Sequence, residues 1–232
     1  MGSCNSGGKG TPSSAKDDRL GIGKQGTPKS IEYAMNNANP NYDNPNARAE
    51  GWEHNCQSCA MTFEALMRGY DTEAVPHKQG EPYFEGNGKE HKWRDCFEGK
   101  QGSILVGYDE YVKARDSGDI AKASKLINNV GKIRAIEGQT VAVNTKTAIT
   151  KQMQEWGEGS RATLSVAFKD GGNHIINIVN KGGKPIAIDA QQHRIRDLGE
   201  MLSRAKINRN ALTRVDNLKF TSDIKYLTKV KK

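Results

Sequence analysis

Apolar residues recur at two different periods along this chain, and the change of period divides it. From residue 56 to 68, Cys56, Cys59 with Ala60, Phe63, and Leu66 with Met67 return every three to four positions, the spacing of a helix with one buried stripe. Asn55 stands where an N-cap belongs and Gly69 where a helix can end. A second helical stretch is expected from about Tyr108 to Asn128. Its apolar side would hold Tyr111, Val112, Ile120, Ala123, Leu126 and Ile127, with Gly118 as a break point. A third is expected from about Thr147 to Trp156. The period then drops to two. Residues 161–168 (RATLSVAF) and 184–190 (KPIAIDA) alternate, and residues 174–180 (HIINIVN) are rich in β-branched side chains, so three antiparallel strands are expected. A further helix is expected from about Arg194 to Ala205.

The flanks lack such patterns. Residues 1–45 are rich in Gly, Ser, Asn and Pro, with Asn-Pro steps in NANPNYDNPN, and read as a flexible leader to a domain spanning 46–232. Residues 77–102 read as loop, and the basic stretch after Arg209 as a solvated tail. A chain of 232 residues with 35% hydrophobic content can bury one core of ordinary size. The net charge of +8 favours anionic partners without choosing among them. The tail has no interleaved aromatics of the kind that stack bases, so nucleic acid is not the favoured partner.

The start, MGSCNSGGKG, lacks the apolar core of a secretory signal, and no apolar run is long enough to span a bilayer. Free thiols in a reducing compartment are therefore expected. Cys56, Cys59, His91 and Cys96 could be weighed as zinc ligands. There is no second Cys-x-x-Cys, and the His–Cys spacing is irregular, so neither metal nor cofactor is expected.

The candidate chemistry comes from a hairpin and a helix start. Gly182-Gly183 suits a two-residue turn, which pairs Lys181 with Lys184. Counting outward, Asn177 faces Ile188, Ile176 faces Asp189 and His174 faces Gln191. His174, Asp189 and Gln191 would then share one face, with Asp189 on the diagonal from His174. A histidine with a carboxylate beside it is what a base and its orienting partner require. Cys56, at a helix N-terminus, would feel the positive end of the helix dipole, which favours its thiolate, and would lie beside free N–H groups suited to an oxyanion.

A cysteine at a helix start followed far downstream by a His–Asp hairpin is the chain order of papain-like enzymes. The string NCQSCAMTFEALMRGYDTEAVP resembles the nucleophile helix of the papain fold toxin family of glutamine deamidases. GNHIINIVNKGGKPIAIDAQ resembles its His strand and Asp-x-Gln strand; WGEGSRATLSVAF and RVDNL also fit. The resemblance implies an α+β, papain-like fold, with the nucleophile helix packed on an antiparallel sheet that carries the His and Asp. It implies Cys56 as nucleophile, His174 as base and Asp189 as orienter, with Gln191 matching the motif. Cys59 is the rival nucleophile, because the papain pattern Cys-x-Ser-Cys uses its second cysteine. The activity implied is deamidation of protein glutamine. Peptide-bond cleavage by the same machinery is the alternative, and a non-catalytic phage virion or cargo module is another. The partners implied are a protein substrate and an immunity protein or phage structural proteins. The setting would be a virion, the bacterial cytoplasm or a target cell.

Overall fold

The computed structural model of the chain describes residues 18–78 and 92–231. In chain order its elements are α1 (Ile31–Asn37), α2 (Ala47–Glu50), α3 (Cys56–Met67), β1 (Thr72–Ala74), β2 (Gln101–Val106), α4 (Tyr108–Asp116), α5 (Ile120–Ile127), β3 (Gly131–Ile136), β4 (Thr140–Ala142), α6 (Lys146–Trp156), β5 (Arg161–Ala167), β6 (Asn173–Lys181), β7 (Lys184–Asp189), β8 (Arg194–Arg196), α7 (Leu198–Ser203), β9 (Ala211–Arg214) and β10 (Thr228–Val230). Six strands form the main sheet in the order β4-β9-β5-β6-β7-β8, every neighbouring pair antiparallel. Helices packed on an antiparallel sheet make the class α+β. Among the described residues, no helix is long and apolar enough to cross a membrane.

The β6–β7 hairpin has the register that its turn dictates. Gly182 and Gly183 take φ values of 62° and 72°, and pairing runs from Lys181↔Lys184 to Asn177↔Ile188. Positive φ at both central positions matches the twist of the strands at almost no cost for glycine. The Glu158 carboxylate accepts from both glycine N–H groups, at 3.0 and 3.3 Å, which fixes the turn to the end of α6.

Alternation along β6 sends its side chains to two cores. Ile176 and Ile178 pack with Ile149, Met153, Leu164 and Leu212 under α6. Val179, with Ile188 and Ala190, packs against Cys59, Phe63 and Leu66 of α3. Asn177, on the α3 side, donates to the Ala60 carbonyl at 3.1 Å. Fully burying side chains such as Phe63 and Leu66 contributes about 1.5–3 kcal/mol each, so α3 is held firmly along the strand that carries His174.

A buried ion cluster holds the other side of α3. Glu64 is fully buried and accepts from Arg161 at 2.8 and 2.9 Å and from Arg68 at 2.8 Å. Arg68 also donates to the carbonyls of Leu218 and Val215, both at 2.6 Å, and Asp216 accepts from the Arg161 N–H at 2.9 Å. Two of the segments singled out in the sequence, around GSRA and RVDNL, are thus structural clamps on the helix.

Four expectations change. The helix expected from 194 to 205 begins later, because residues 194–196 pair with β7 as β8; Asp197 then caps α7 through the Glu200 N–H at 2.7 Å. The stretch after Arg209 is not a solvated tail. It supplies β9, inserted between β4 and β5 with Ala211, Leu212 and Thr213 buried, and β10, paired with β1. A strand buried on both faces shows no alternation, which hid it. Residues 101–106, of which the first two fall in the expected loop, pair with β3 as β2, while the helical stretch between these strands breaks into α4 and α5 at Gly118 (φ 77°), the break point expected. Within the segment read as leader, residues 31–37 form α1, and Ala34, Ala38 and Asn39 are fully buried. Residues 1–17 of that segment lie outside the described residues, as does His91.

Candidate active site

Cys56 is the first residue of α3, so its own N–H and those that follow in the first turn have no acceptor within the helix. The side chain of Asn55, expected to cap there, makes no capping hydrogen bond. Its Nδ2 donates instead to Asn39 Oδ1 at 3.2 Å and to the Val75 carbonyl at 3.1 Å. Its Oδ1 accepts from Gln191 Nε2 and from the Cys59 thiol, each at 3.2 Å. Asn39 in turn donates to the carbonyls of Trp52 and Gln191, at 3.0 and 3.1 Å. A fully buried amide network therefore fixes the entry to α3, and hence Cys56, from below.

His174 lies near the start of β6 and Asp189 at the end of β7. His174 Nε2 and Asp189 Oδ2 are 2.9 Å apart, with Asp189 only 1% exposed. Cys56 lines the same cleft as His174, close enough for its sulfur to act on the imidazole's charge. Burial works against a charge on His174. The hydrogen bond that Asp189 accepts, the nearby Cys56 sulfur, and then the charges of both outweigh it and hold the ring's pKa up at about 10.

His174 and Asp189 are thus paired directly, with Cys56 on the same cleft as His174, and the remaining two candidates lie elsewhere. The β6–β7 ladder ends before Gln191, so Gln191 does not sit opposite His174; its amide belongs to the Asn55 network. Cys59 is buried one turn into the helix with its thiol donated to Asn55, and desolvation raises its pKa well above the usual thiol range. Arg196, which sequence reasoning passed over, comes within 4.0 Å of Asp189 Oδ2. Its position depends on the turn after Asp189 and on β8, neither of which has a local sequence signal. Asn39 was equally hidden, as one asparagine among many in NANPNYDNPN.

Cys56 and His174 open into a cleft of about 520 Å³. Its walls come from Trp93 and Arg94, from β3, and from the ends of β5 and β6. Gln57 also lines it, with Oε1 accepting from the Trp93 N–H at 3.1 Å. As for metal, no group of three or more His, Cys, Asp or Glu among the described residues is placed to hold an ion. Cys59 and Cys96 belong to different apolar clusters.

A family model described as papain fold toxin 1, glutamine deamidase, matches residues 54–194. The chain belongs to that family. The match takes in Cys56, His174, Asp189 and Gln191, so the papain fold toxin family accounts for the helix and hairpin together. Asn39 and the Val215–Leu218 clamp fall outside the matched residues. No curated protein matches the chain, and no solved structure does.

The raised His174 pKa has a consequence for stability. A base whose folded pKa lies above its unfolded one binds a proton more tightly when folded. Its contribution is complete below the ordinary value of 6.5 and is lost as pH climbs to about 10. Urea unfolding of the whole chain should show a decline in stability across that range on the order of 5 kcal/mol. Asp189→Asn should flatten the decline. A wild-type profile as flat as that of the variant would contradict the ion pair.

Proposed function

We propose that Cys56, His174 and Asp189 form a catalytic triad that deamidates glutamine side chains of a protein substrate. The observation that supports this most directly is the imidazole of His174, bonded to a buried carboxylate and lining one cleft with Cys56. Membership of a glutamine deamidase family supports the choice of a carboxamide as the target.

The steps follow from the geometry. His174 holds the proton that the Cys56 thiol gives up as it reacts. The sulfur adds to the carboxamide carbon of the substrate. The oxyanion so formed is met by the unpaired N–H groups of the first turn of α3. The carboxamide of Gln57 is a further donor, since Trp93 holds its oxygen and leaves Nε2 available. The His174 imidazolium gives its proton to the departing nitrogen, the C–N bond breaks, and ammonia leaves a thioester on Cys56. Water then adds to the thioester carbon while His174 takes its proton. The C–S bond breaks, and glutamate is released. Asp189 keeps the imidazole oriented and balances its charge throughout.

The test is direct. The full chain, incubated with a panel of glutamine-containing proteins, should release ammonia and raise the mass of a product peptide by one dalton per event. Backbone cleavage without that gain would make the enzyme a protease. Neither change on any substrate, with Cys56 still reactive to an alkylating probe, would point to a retained fold without this activity.

A further inference from the structure

Among the described residues, the Lys and Arg side chains that line the cleft around Cys56 face no carboxylate there. Arg94, Lys132, Arg134 and Arg209 all line it, and no Asp or Glu does among the described residues. Lys132 and Arg134 alternate with buried Gly131, Ile133 and Ala135 on β3, so both point from the same face. The same two side chains line a second cavity of about 460 Å³ beside β2, which extends the basic wall along the strand. None of Lys132, Arg134 and Arg209 is in an ion pair with a described carboxylate.

These cations have an unfavourable arrangement on their own. Arg94 is held near enough to Arg134 for repulsion to act. Burial first, and then the charge of Arg134, bring its pKa down to about 10, with Asp95 offsetting only part. The Nε of Arg94 is buried with no acceptor among the described residues. An incoming anion would relieve both. Walls of one sign around a low-dielectric cleft also concentrate field and raise the local abundance of an oppositely charged substrate.

We infer that the cleft selects an acidic protein segment, so that the glutamine attacked by Cys56 is flanked by carboxylates engaging Arg94, Lys132 and Arg134. This rests on the deamidase reading above for the glutamine, and on the cleft lining alone for the acidic flank. A nucleic acid fits less well. Neither Phe nor Tyr lines the cleft among the described residues, and the Arg94 guanidinium covers one face of Trp93 at 4.5 Å, whereas strand binding needs open aromatic faces.

The test separates binding from turnover. The full chain carrying Cys56→Ala is titrated with fluorescent peptides that hold a central glutamine between glutamates, serines or lysines, and with an oligothymidylate of the same charge as the acidic peptide. The acidic peptide should bind at least about 10-fold tighter than the serine peptide at low salt, with most of the preference gone in half-molar salt. Arg134→Glu or Lys132→Glu should remove the preference, and Arg134→Gln should reduce it, each with an unchanged thermal melt. Lys151→Glu, the same charge change on α6 outside the cleft, should preserve it. Equal affinity for all peptides, no binding of any at millimolar concentration, tighter binding of the oligonucleotide, or an equal loss in Lys151→Glu would each overturn the inference. Deamidation of the same peptides by the wild type is scored separately. Its failure would count against the reaction proposed, while the binding preference would stand or fall alone.

Discussion

Cys56→Ala should abolish turnover, a loss on the order of 10⁶-fold, the scale reached when the nucleophile of a hydrolytic triad is removed. Cys59→Ala should keep most of it. The two cysteines are one helical turn apart, and the sequence offers either as the reactive one. Their surroundings differ in kind. Cys56 is partly exposed and lines the cleft together with His174. Cys59 is buried among Phe63, Leu66 and Ile188, gives its thiol proton to Asn55, and has its thiolate disfavoured by burial. Losing that buried sulfur should cost stability of about 1 kcal/mol rather than chemistry. Single-turnover rates, with near-ultraviolet dichroism to establish that both variants are folded, distinguish the cases. An active Cys56→Ala beside an inactive, folded Cys59→Ala would reverse the assignment.

Much of the arrangement around the site was legible because it depends on local rules. Turn chemistry at Gly182-Gly183 set the register of β6 and β7, and the three-to-four-residue recurrence of apolar side chains located α3. What the sequence could not show depends on chain reversals. Counting along the hairpin carried the pairing past Asp189, but β7 stops there and Gln191 turns away to Asn55. Asn55 looked like a cap, since a single asparagine before a helix normally serves as one. The structure has spent its amide on Asn39, which arrives from the segment before it, and on Val75 and Gln191. The basic wall of the cleft was present in the composition as a net charge of +8 but had no position until β3 folded beside the site. Long-range pairing of this sort leaves no periodic trace.

The largest stability effect should come from Glu64→Gln. A buried carboxylate that accepts from two arginines can be neutralised only by leaving both guanidinium charges partly uncompensated, at about 3–5 kcal/mol. In a chain of this size, that should lower the melting temperature by roughly 10 °C. Replacing a buried ion pair with apolar side chains is often harmless, which would suggest that a combined Glu64→Leu, Arg68→Met, Arg161→Leu variant recovers. It should not recover here. Arg68 also satisfies the carbonyls of Val215 and Leu218 and stacks over Phe220 at 4.1 Å, so an apolar replacement orphans two backbone acceptors in the segment that clamps α3. Glu64→Gln should melt early yet, at low temperature, keep Cys56 as reactive toward an alkylating probe as in the wild type, because the charge cluster touches neither His174 nor Asp189. A loss under about 1 kcal/mol on equilibrium unfolding, within the range of a surface pair, would show that the cluster does not hold the nucleophile helix in place.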